Sequence, residues 1–97
     1  MSDPDYSSLT KSDINNLNTT KSLWICKKNL SHDTETTIIG DNGRCKETNT
    51  LETREAILFN RHTYLLLRVK WTVYNRWYEG AETTIISVTP VTDADVD

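Results

Sequence analysis

The chain predicts an all-β fold, an antiparallel meander that forms a barrel or part of one behind a short N-terminal helical turn. Three observations carry this. From Thr63 to Tyr74, Leu65, Leu67, Val69, Trp71 and Val73 share one face while Tyr64, Arg68, Lys70, Thr72 and Tyr74 share the other, the period of two that marks a half-buried strand. Gly40-Asp41-Asn42-Gly43 and Asn60-Arg61-His62 punctuate the apolar runs with residues that suit tight turns. Finally, Glu-Thr-Thr-Ile-Ile occurs at Glu35–Ile39 and again at Glu82–Ile86, a β-branched run that strands favour.

Taken in order, residues 1–22 form a polar lead-in. Leu17 follows Ile14 by three positions, which predicts a helical turn around Asp13. Leu23-Trp24-Ile25-Cys26 opens a strand expected to end near Asn29, and Thr34–Ile39 reads as a second strand. After the Gly40–Gly43 turn a polar stretch leads to Thr53, and Ala56–Phe59 gives the next strand. The alternating run then reaches Tyr74, Gly80 breaks it, and Thr83–Thr89 forms a last strand before Pro90. The β-domain is thus expected over 23–91, with an acidic tail over 92–97. The two Glu-Thr-Thr-Ile-Ile copies have unrelated flanks. A duplicated unit would extend over tens of residues, so they read as two similar strands of one domain.

With 97 residues, the chain has room for one domain that buries about 60–65 % of its unfolded surface. A net charge of -3 without a basic stripe argues against nucleic acid, which needs clustered Lys and Arg. Apolar runs such as Leu65-Leu66-Leu67 and Ala56-Ile57-Leu58-Phe59 are far short of the roughly 20 residues that span a bilayer, so no membrane span is expected. No apolar leader is visible, which predicts a cytosolic protein or a mature secreted one. Two sequons, Asn18-Thr19-Thr20 and Asn29-Leu30-Ser31, and the pair Cys26 and Cys45 favour secretion with glycosylation.

Catalysis finds little support. His32 and His62 both sit in expected turns, no Gly-x-Ser-x-Gly elbow exists, and no Cys or His spacing suits zinc. No enzyme activity, metal or cofactor is expected. The aromatic residues offer more. Trp71, Tyr74, Trp77 and Tyr78 cluster just ahead of Glu79 and Glu82. Rings with carboxylates suit a small organic cation, although the same rings also suit a β core. Asp33 beside Glu35 has the same two readings.

The segment Asp13–Trp24, the run Lys27-Lys28-Asn29-Leu30-Ser31-His32-Asp33, the loop Gly40–Cys45 and the stretch Tyr64–Glu79 with Trp77 resemble the tick salivary lipocalins. The likeness covers Asp13 to Val91. It implies a calycin-type antiparallel barrel secreted in saliva that sequesters host mediators such as histamine, serotonin or eicosanoid lipids. The family's acid in the first-strand turn falls on Asp33, while its aromatic three positions earlier is replaced by Leu30. Family members are longer, so the resemblance implies a short or truncated member, or one that closes its sheet as a homodimer.

The expected function is therefore a lipocalin-like binder of a small host mediator. The candidate ligand residues are Asp33, Trp71, Trp77, Tyr78, Glu79 and Glu82. The alternative is a small β-domain that binds a host protein through its aromatic surface. For the cysteines, either Cys26 and Cys45 bond to each other or Cys45 stays free to link chains.

Overall fold

The computed structural model describes residues 9–17, 19 and 22–96. One short helix, α1 (Lys11–Asn15), precedes four strands: β1 (Trp24–Asp41), β2 (Lys46–Asn60), β3 (Leu66–Arg76) and β4 (Gly80–Pro90). The strands pair in the order β1-β2-β3-β4, each antiparallel to its sequence neighbour, in one open sheet. The expected all-β meander with a helical turn at its start is therefore the observed fold. A 3-10 turn over Asp93–Asp95 follows β4, and no described helix is long and apolar enough to cross a membrane.

The expected helical turn around Asp13 forms because both of its first-turn partners are local. Thr10 accepts from the Asp13 backbone N–H, and the Asp13 carboxylate accepts from Thr10 N–H at 2.9 Å. That reciprocal arrangement satisfies two of the helix's orphan donors. Asn42 closes the first hairpin in a similar way, its Oδ1 accepting from the N–H groups of Arg44 and Cys45, while Gly43 takes φ +85°. Asn60, itself buried, uses Oδ1 to accept from His62 and Thr63. This holds the second turn, where Tyr64 adopts φ +62°, unusual for a residue with a large side chain.

Two expectations need correction. The strands read separately at Leu23–Asn29 and Thr34–Ile39 are one strand, β1, with no turn at His32 and Asp33. No Gly or Pro stands between them, and register shifts at Cys26/Lys28 and Asn29/Ser31 bend the strand without ending it. The polar stretch before Thr53 is likewise strand, the first half of β2. Its Thr, Asn and Glu residues are half-buried from Glu47 to Glu55, held as strand by pairing with β1 and β3 rather than by an apolar face. Elsewhere, β3 starts at Leu66 rather than Thr63 and extends to Arg76, and the last strand runs from Gly80. The two Glu-Thr-Thr-Ile-Ile copies occupy the two outer strands, β1 and β4.

The register arranges one face of the sheet in rungs: Cys26, Leu58, Leu67 and Pro90; then Asn29, Ala56, Val69 and Val88; then His32, Arg54, Trp71 and Ile85; then Thr34, Glu52, Val73 and Thr83. The first rungs are apolar and the later ones increasingly polar. Leu58, Leu67 and Val69 are 0 % exposed, and they pack with Trp24, Ala56, Trp71, Leu9 and Ile14 in one cluster. Leu9 and Ile14 thus join the core, although the lead-in was expected to lie outside the β-domain. Thr83 Oγ1 donates to Asn15 Oδ1 at 2.9 Å and fixes α1 over the same face. On the opposite face, among the described residues, only Ile57 is buried, in register between Lys28 and Arg68.

Candidate functional site

Because α1 lies over the sheet, a cavity of about 380 Å³ remains between them, lined by Ile14, Asn15, Leu17, Cys26, Asn29, Glu52, Arg54, Trp71 and Val73. Its size falls in the range of small-molecule sites. Ile14 and Leu17 come from the helix side, Trp71 and Val73 from β3, and the polar groups from β1 and β2. Period-two alternation alone places Glu52 and Arg54 on the inward face, beside the apolar rungs.

The polar groups are unequally satisfied. Glu52 Oε1 accepts from His32 Nε2 at 2.8 Å and from Arg54 at 3.3 Å. The His32 bond is the largest influence on the Glu52 carboxyl; burial opposes it, and the bond and charge of Arg54 add to it, so the carboxyl is held below its ordinary range. Glu52 therefore stays ionised and occupied. Cys26 donates to Asn29 Oδ1 at 3.4 Å, and burial raises the thiol above its ordinary value. This Cys26 is a weak nucleophile. Arg54 Nε, by contrast, is buried and has no hydrogen-bond partner among the described residues. Only this nitrogen lacks a partner: the Nη2 of the same guanidinium donates to Glu52, and the Arg54 side chain as a whole is 43 % exposed. The charge itself is paired, while one inward-facing donor is left for a partner that accepts from it.

Of the six expected ligand residues, only Trp71 lines this cavity. Trp77, Tyr78 and Glu79 come together elsewhere, beside Ile39, Glu47, Asn49 and Arg76, around a shallow groove of about 300 Å³ at the β3–β4 turn. Asn49 ties this end together, accepting from Trp77 N–H at 3.0 Å and donating to the Tyr74 hydroxyl at 3.1 Å. Glu79 and Glu82 both face Arg76, at 3.6 and 3.1 Å, and its guanidinium lies over the Tyr74 ring at 5.0 Å. The chain's own arginine thus takes the place that a ligand cation would take between rings and acids. Asp33 is exposed on β1, opposite Thr53, and alternates away from the face that bears His32 and Thr34. The six residues do not form one site.

Of the two arrangements open to the cysteines, the structure has no internal bond: Cys26 and Cys45 are both free. Cys26 is near the start of β1 and Cys45 is in the turn beyond its end, on the order of 50 Å apart at the usual strand rise, against the roughly 6 Å between Cα atoms that a disulfide needs. Of the two expected glycosylation sites, Asn29 is exposed at the cavity wall, while Asn18 lies outside the described residues. Sequence reading missed Arg54 and Glu52, which sit in a polar stretch without any motif. The signal that finds them is cross-strand: Arg54 stands opposite Trp71.

No grouping of His, Cys, Asp and Glu among the described residues could hold a metal ion. Compared with known proteins, the chain matches no family model, no curated protein and no solved structure.

Proposed function

We propose that the protein is a non-enzymatic binder of a small organic acid, held between α1 and the sheet. The observation that carries this reading is the buried, unpartnered Arg54 Nε at the wall of a cavity that Ile14, Leu17, Trp71 and Val73 also line. The acid group accepts from Arg54, and the apolar body lies against Ile14, Leu17, Trp71 and Val73. Among the mediators that the lipocalin resemblance implies, a lipid acid of the eicosanoid type suits this arrangement. Histamine and serotonin suit it less, because Glu52 is already taken by His32 and Arg54. Secretion belongs to the same proposal and rests on the sequons and the resemblance.

Titration calorimetry with decanoate, decylamine, histamine and serotonin tests it. Decanoate is expected to bind, and Arg54→Gln to weaken it about tenfold or more, the effect of losing one charged hydrogen bond of about 1.5–3 kcal/mol. Amine binding that ignores Arg54 would contradict the proposal. A second reading rests on the aromatic end of the sheet, where Tyr78 is 89 % and Trp77 43 % exposed. Rings so exposed are typical anchors for a protein partner. If none of the four compounds binds, this reading takes precedence.

A further inference from the structure

Glu52 Oε1 accepts two bonds at once, from His32 Nε2 at 2.8 Å and from Arg54 Nη2 at 3.3 Å. An ionised carboxylate only accepts, so His32 Nε2 carries the hydrogen of that bond and a further proton adds at Nδ1. An acid seated on Arg54 Nε shares this guanidinium with Glu52. While His32 is neutral, two acids then face one cation. Once His32 is protonated, two acids face two cations, and Glu52 is compensated from both sides.

Histidine is the side chain that ordinarily changes charge between about pH 5 and 8, and among the described residues the ionisable groups around His32 do not compete with it. β2 faces it with Glu52 and Arg54. The His32 bond holds the Glu52 carboxyl below its ordinary range, so Glu52 stays ionised, and a guanidinium keeps its charge. In the same rung β3 brings Trp71 and β4 brings Ile85, both uncharged. Along β1, an outer strand, the neighbours on this face are Asn29 and Thr34, while Asp33 and Glu35 alternate to the other face. Cys26, farther along the wall, is raised by burial and stays a neutral thiol. From α1, Asn15 lines the cavity, the Asp13 carboxylate is bonded to Thr10, and Lys11 does not line it. The second histidine, His62, does not line it either.

We infer that His32 makes the site proton-linked: an acid binds with uptake of a proton at His32 Nδ1, and its affinity rises as the pH falls through the histidine range. This rests on the acid site proposed at Arg54. The linkage is reciprocal, so a bound acid favours protonated His32 as much as protonated His32 favours the acid. The same site lets its ligand go more readily as the pH rises.

Octanesulfonate keeps its full charge over this range, so a pH effect on its binding belongs to the protein. Titration calorimetry should show wild type binding it about threefold more tightly at about pH 5.5 than at about pH 8, as expected of one half-exposed charge. Near the middle of the range, two buffers of unlike ionisation enthalpy should register the uptake of a proton on binding. His32→Gln keeps a nitrogen donor for Glu52 but takes up no proton, and should bind with the same affinity at both pH values. Circular dichroism at each pH checks that the sheet is intact. Equal wild-type affinities, with Arg54→Gln still weakening binding, overturn this inference and leave the acid site standing. A pH effect that persists in His32→Gln, or binding without proton uptake, overturns it too. If neither octanesulfonate nor decanoate binds at either pH, the acid site itself falls and this inference with it.

Discussion

Trp71→Ala is expected to lower stability by about 3–5 kcal/mol, the usual effect of removing a buried indole. Trp71 is 4 % exposed and sits at the meeting point of the core cluster and the cavity wall. Its cross-strand neighbours are Arg54 and Ile85; Arg54 is charged and bonded to Glu52, so filling the gap with it would bury a charge. A domain of this size has on the order of 5–15 kcal/mol in total. The variant should therefore unfold at much lower urea concentration, with the slope of the transition unchanged. A midpoint shift equivalent to less than about 1 kcal/mol would show that Trp71 is not part of the packed core.

Ile14→Ala is the second large effect. Ile14 is buried against the sheet while the rest of α1 is largely exposed. A helix of five residues has almost no stability of its own, so its position depends on Ile14, Leu9 and the Asn15–Thr83 bond. About 2–4 kcal/mol of stability should be lost. Decanoate affinity should fall with it, because Ile14 and Leu17 form the helix side of the cavity. Calorimetry and urea unfolding on the same variant measure both. Retained affinity with lost stability would place the ligand away from α1.

How much of this was legible depended on whether the signal was local. The alternation through Leu67, Val69 and Trp71 identified the core face of β3 correctly, because period two is a property of one strand. The Asn42-Gly43 turn and the helical turn at Asp13 were legible for the same reason. The continuity of β1 was not: His32 and Asp33 resemble turn residues, and only pairing with Arg54 and Thr53 keeps that stretch extended. The candidate site failed in the same way. Trp71 and Trp77 are six positions apart in sequence, yet the core face took one and the β3–β4 turn took the other. Arg54 acquires its place from Trp71 across the ladder, which a one-dimensional reading does not contain.

The placement of α1 also sets an order of events in folding. Each strand meets its sequence neighbour through a short turn, so the three hairpins are local closures. The Asn15–Thr83 bond, with a separation of 68 residues, is not. Closing a loop of that length costs about 2.5 kcal/mol more than closing a turn of four, from the logarithmic dependence on length. The meander should therefore assemble first and the helix should dock onto it late. In stopped-flow refolding, the β signal should precede the final change in Trp71 fluorescence, and Ile14→Ala should accelerate unfolding far more than it slows folding. Equal effects on both rates would place helix docking inside the nucleus. The cavity, which exists only once α1 is seated, is then the last feature to form and the first to be lost.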